Sequence, residues 1–157
     1  MALTKINNNT LSAITGLPAG VGGKVLQVVS STFDDTTAMS SSTYADITGS
    51  SLSITPSSTS SKILVFYSLQ FRLRNDSLNI CTGYVRVLRG ATEITETRNQ
   101  SNDDSLSPSP MVISHLDSPS TTSAVTYKAQ QKMTAGTQVV VNDGTVDSYI
   151  TLMEISG

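Results

Sequence analysis

The alternation of apolar and polar positions resolves this chain into short strands. The clearest is KILVFYSLQFRLR, Lys62 to Arg74, where Ile63, Val65, Tyr67, Leu69, Phe71 and Leu73 recur at every second residue and share one face. The other face reads Lys62, Leu64, Phe66, Ser68, Gln70, Arg72 and Arg74, apolar at one end and charged at the other. The first face predicts core; the second predicts a surface half covered by a partner. Upstream, KVLQVV, TYADIT and SLSITP read as strands, the last closed by Pro56 and a Ser/Thr turn. Downstream, Ile80 to Arg89 places Cys81, Gly83, Val85 and Val87 on one face, and Arg89-Gly90-Ala91 turns into ATEITETR as a hairpin. MVISHL, VTYKAQQKM, TQVVV and SYITLMEI follow, with turns at Ala135-Gly136 and Asn142-Asp143-Gly144. NQSNDDSLSPSP, Asn99 to Pro110, is polar and broken by prolines, and predicts a long exposed loop. No window shows the i, i+3, i+4, i+7 pattern of an amphipathic helix. About ten strands without an internal period predict an all-β chain of two packed sheets rather than a propeller or repeat array.

Residues 1–23 lack either period and are read as an N-terminal arm, with residues 24–157 as the folded domain. The arm ends in GLPAGVGGK, whose four glycines and terminal Gly-Lys raise the question of a phosphate cradle. A Walker loop needs a glycine where Pro18 stands and a Ser or Thr where Val25 stands, so the amide cradle and the magnesium hydroxyl are both missing. Pro18, Gly22 and Gly23 are instead read as a hinge that aims the arm, with Leu3, Ile6, Leu11, Ile14 and Leu17 as its docking residues.

Composition narrows the partners. Charged residues make up 14% of the 157, and the net charge is −2, so there is no basic field to hold nucleic acid or an anionic membrane. The polar residues are mostly Ser, Thr and Asn, which solvate a β surface without charge. The single Cys81 excludes an intrachain disulfide and reads as a small core residue, which leaves packing or subunit association to supply robustness. MALTKINNNT shows no signal-peptide apolar segment, and no window approaches the ~20 apolar residues of a membrane helix. The expectation is a soluble protein made in the cytoplasm.

The chemistry-bearing residues are sparse. His115 is the only histidine and sits in an apolar strand, which favours packing or a surface hydrogen bond over a catalytic triad. Asp34-Asp35 and Asp103-Asp104 lack a calcium-loop pattern and read as solvated turns; Asn8, Asn75 and Asn99 match N-x-[ST] in a chain rich in those residue types. The tyrosines and phenylalanines fall in or beside alternating strands, so Tyr84, Tyr127 and Tyr149, with Leu64 and Phe66, are candidates for a subunit interface rather than a sugar platform. Lys62, Arg72, Arg74, Arg86 and Arg89 read as interface or surface charge. No cofactor or metal is expected, and an enzyme is the least expected class because titratable groups do not converge.

Several runs resemble small virion proteins of tailed phages, especially marine and cyanobacterial ones: GKVLQVVSSTFDDTT, SSLSITPSSTSSKILVFYSLQF, YVRVLRGATEI, HLDSPSTTSAVTYKAQQK and ITLMEI, spanning about Gly23 to Ile155. The opening MALTKINNNTLSAITGLPAG is similar to the starts of phage appendage and tail-fibre proteins. The resemblance implies a jelly-roll sandwich similar to the trimeric heads of the tumour necrosis factor and complement type, with no catalytic residues to carry over. It also implies a homotrimer on the exterior of a virion, partnered by the major capsid protein or by tail proteins, with host surface glycan as a further partner. An arm of 23 residues spans at most about 80 Å, enough to cross a neighbouring subunit and too short for a long fibre. The expectation is therefore a capsid decoration, or cement, protein; the alternative is a short tail-fibre, adaptor or receptor-binding head subunit.

Overall fold

The computed structural model describes residues 25–75, 80–102, 109–143 and 146–157. The arm, including Leu3, Ile6, Leu11, Ile14, Leu17, Pro18, Gly22 and Gly23, lies outside the described residues, as does most of the predicted loop before Ser109. Among the described residues there are eleven strands: β1 Val25–Phe33, β2 Thr37–Met39, β3 Ala45–Asp46, β4 Leu52–Ile54, β5 Lys62–Arg74, β6 Cys81–Arg89, β7 Thr92–Ser101, β8 Ser109–Asp117, β9 Val125–Ala135, β10 Gln138–Val141 and β11 Ser148–Ile155. They form two antiparallel sheets packed into a sandwich. The first runs β1-β11-β5-β8, with β10 and β2 continuing beside the second half of β5; the second runs β9-β6-β7, with β3 and β4 both against the outer side of β9. The chain passes between sheets from β2 to β3, β4 to β5, β5 to β6, β7 to β8, β8 to β9 and β9 to β10, a jelly-roll order.

The two-residue period of β5 is the organising feature. Ile63, Val65, Tyr67, Leu69, Phe71 and Leu73 are all buried, as the alternation predicts, and pack with Val85, Val87, Tyr127 and Ala129 of the second sheet. Gly83 opposes Phe71: a Cβ there would lie 2.7 Å from the ring and 2.6 Å from Val139, so glycine lets the sheets approach. The β6–β7 hairpin turns at Gly90-Ala91, with Gly90 at φ 58°, the left-handed first position of a type II′ turn. Boundaries are corrected at several places. β7 runs on through Asn99 to Ser101 and β8 starts at Ser109, so the ends of the predicted Asn99–Pro110 loop are strand. TYADIT contributes only the two residues of β3, while Thr37–Met39 pairs with β10 as a strand that has too few residues to show a period.

Two buried carboxylates tie the layers together. Asp117 of β8 accepts from Arg89 Nη1 of β6 at 2.7 and 2.8 Å and from the Tyr127 hydroxyl of β9 at 2.7 Å, joining the first sheet to the second. Burial and the adjacent carboxylate push the Tyr127 phenol above its ordinary range. Glu154 of β11 is 1% exposed and accepts from the Ser57 amide and hydroxyl at 2.7 and 2.6 Å and from Gln27 Nε2 of β1 at 2.6 Å. Burial alone would raise this carboxyl; the hydrogen bonds from Ser57 and Gln27 outweigh it and hold it down at about 2.

Candidate interaction surface

The outer side of the first sheet is built by register. Because facing residues of an antiparallel ladder point to the same side, β1, β11, β5 and β8 present three levels of side chains to the exterior. The first is Val28–Met153–Leu64–Leu116, an unbroken apolar row across four strands. The next is Ser30–Thr151–Phe66–Ser114, and the third Thr32–Tyr149–Ser68–Val112. Val28 is 54% exposed, Leu116 49%, Val112 56% and Tyr149 44%. Val25 and Leu26 are exposed beside a bulge, and the level of Val25 runs through Ile155 to the exposed Lys62, where the uncharged face ends. The described side chains of these three levels carry no charge.

The outer side of the second sheet has the opposite chemistry. Its levels read Asp46–Gln130–Arg86–Glu96 and Lys132–Tyr84–Arg98. Arg86 donates to Gln130 at 2.9 Å and Glu93 at 3.0 Å, and Lys128 pairs with Asp46 at 2.9 Å. Hydrogen bonds from Gln130 and then Lys128 lower the Asp46 carboxyl below its ordinary value. Tyr44 donates to Glu96 and lies under both Arg86 and Lys132, 3.9 and 4.3 Å from its ring centroid. Charges on this face largely answer one another, Arg86 with Glu93, Lys128 with Asp46 and Lys132 with Glu96.

The structure divides the predicted interface residues into three places. Leu64, Phe66 and Tyr149 share the outer side of the first sheet, as a single patch. Tyr84 lies on the opposite, charged face, its ring 4.7 Å from Lys132 Nζ. Tyr127 is 0% exposed and hydrogen bonded to Asp117, so its placement in a subunit interface is corrected: it belongs to the core. Arg89 is likewise an inter-sheet clamp, not a surface charge. His115 is half-buried on the inner side of β8, level with Val65, and Asp34-Asp35 is an exposed turn after β1. Asn75 is buried, Asn99 is paired within β7, and Asn8 and Asp103-Asp104 lie outside the described residues. Cys81 is buried, and burial raises its thiol. Among the described residues no three His, Cys, Asp or Glu come together as a metal site, and no helix is long and apolar enough to cross a membrane.

Val28, Met153, Leu116 and Val112 were missed by sequence reasoning. Each belongs to a strand whose alternation was readable, yet the alternation does not say which strands are neighbours, and the row exists only across neighbours. No protein-family model matches this chain, and no curated protein matches it.

Proposed function

We propose that this chain is a non-enzymatic structural protein of a bacteriophage particle that works as a homotrimer, assembled through the outer side of its β1-β11-β5-β8 sheet. The observation that carries the assembly is the apolar row Val28–Met153–Leu64–Leu116 with its uncharged flanking levels. Four strands about 4.8 Å apart and three levels, about 20 Å, long make a face of roughly 400 Å², the size of the patches that mark interaction sites and about half of the ~800 Å² per partner of a standard interface. A second copy of the same uncharged face meets no electrostatic penalty there. Burial by copies of the chain also supplies the robustness that a lone cysteine cannot.

The particle assignment is supported by the resemblance of the strand-bearing runs and the N-terminal opening to small phage virion proteins. The role we propose is a lattice component, a capsid decoration protein tied down through residues 1–23, with a fibre or adaptor subunit as the alternative. Light scattering on the purified chain is expected to give three times 16.6 kDa, about 50 kDa, and a monomeric mass would refute the assembly. Counting copies in purified particles separates the roles: hundreds fit a capsid lattice, and a few tens or fewer point to the tail.

A further inference from the structure

The uncharged levels run to both edges of the four-stranded face, and the two edges differ. β7, the long edge of the other sheet, carries Glu93, Glu96 and Arg98, and charge discourages strand addition; β8 holds Pro110 and Asp117 only at its two ends, clear of the Val112–Leu116 stretch. β1, VLQVVSSTF, has β11 as its one neighbour among the described strands and contains neither charge nor proline. An edge left this plain needs cover in the assembled state.

Symmetry says what covers it. Copies in a closed ring of three are related by rotation without translation, so each contact joins two different patches and keeps every level at its own height. β1 and β8 are antiparallel to one another, because β1, β11, β5 and β8 alternate in direction. With the rotation axis along the strands, the β1 edge of one copy meets the β8 edge of the next, antiparallel and in level. Resting on the trimer reading above, we propose that the ring closes edge to edge, with Val28 against Leu116 of the next copy, Ser30 against Ser114 and Thr32 against Val112. The chemistry agrees at each level: branched apolar against apolar, hydroxyl against hydroxyl, and the threonine methyl against valine. The charged or titratable groups of β8 do not intrude, since His115 and Asp117 lie on the inner side and Asp117 is held by Arg89.

Paired cysteines in the full chain test this. In one copy Val28 and Leu116 are three strands apart, about 14 Å, beyond the ~7 Å Cα separation that a disulfide spans, so any bond between cysteines there joins copies. After oxidation, V28C/L116C is expected to run as a covalent trimer on a non-reducing gel, while V28C alone and L116C alone run as single chains. V28C/V112C, displaced by four residues or about 13 Å along the strand, is expected not to cross-link. S30C/S114C, one level along, repeats the expected trimer and guards against a folding defect in the first pair; thermal melting identifies any variant that has lost the parent fold. Cys81 is buried and stays out of the reaction. A covalent dimer from V28C alone means a two-fold interface and overturns the proposal. A trimeric mass with no cross-link from either matched pair overturns the edge closure and leaves the trimer reading standing, whereas a monomeric mass overturns both.

Discussion

The two outer faces of this sandwich have the same architecture and opposite chemistry. Across the first sheet a single level reads Val28–Met153–Leu64–Leu116; across the second a level reads Asp46–Gln130–Arg86–Glu96. A sheet in a sandwich needs one apolar side only, so the second sheet is the ordinary case: its inner side is core and its outer side is a self-answering charge network. The first sheet adds to its apolar inner side one wholly apolar outer level with uncharged, largely hydroxyl-bearing levels beside it. The fold accounts for its inner side, and the proposed trimer would account for the outer one.

If that difference divides assembly from solvation, charge placed on the first face has the largest effect. Leu64→Asp or Phe66→Asp would bury a carboxylate in the trimer contact, and the dissociation constant for assembly is expected to rise about 1,000-fold or more, read by sedimentation or light scattering. A trimer that survives both changes removes the distinction between the faces. Next comes the clamp that holds the two layers together. Asp117→Ala leaves Arg89 and the Tyr127 hydroxyl without their shared acceptor and is expected to cost about 3 kcal/mol in denaturant unfolding, with the mass of the folded protein unchanged.

Glu154 sharpens the comparison through pH, because it pins β1 and β11, two of the strands that carry the apolar face, to the segment around Ser57. Its carboxyl sits at about 2 against an ordinary 4.5. A lowered folded value makes the contribution complete above about 4.5 and removes it as pH falls towards 2. Melting temperature is expected to fall over that window, and Glu154→Gln, which loses about 1–3 kcal/mol at neutral pH, is expected to flatten this part of the acid limb. The smallest effect belongs to the charged face. Arg86→Ala or Lys132→Ala removes a cation over Tyr44 and is expected to cost about 0.5–1 kcal/mol without changing the mass. A change in oligomeric state from either substitution would place the interface on the wrong sheet.

Much of this was legible along the chain. The inner residues of β5 follow from alternation alone, SYITLMEI coincides with β11, and the Gly90 turn follows from the need for a left-handed first position between two strands. Leu64, Phe66 and Tyr149 were readable as surface candidates because each stands at the off-phase position of a strand with a strong core phase. Tyr127 was misassigned for the complementary reason: a tyrosine is amphipathic, and only the presence of Asp117 beside its hydroxyl allows it to be fully buried. The short strand β2 escaped because three residues carry no period, and β3 was read too long, as TYADIT.

Local pattern by itself determined that this is an all-β chain, which residues of β5 and β6 face inward, and that one long strand is apolar on part of its second side. Those are properties of neighbours in sequence, set by the two-residue geometry of extended backbone. Which strands lie side by side, and hence that Val28, Met153, Leu64 and Leu116 form one row while Tyr84 sits beneath Lys132 on the far face, was decided by tertiary structure. Strand order is fixed by pairings between residues distant in the chain, such as Val28 with Met153, and the pleat period is the same whichever partner a strand takes.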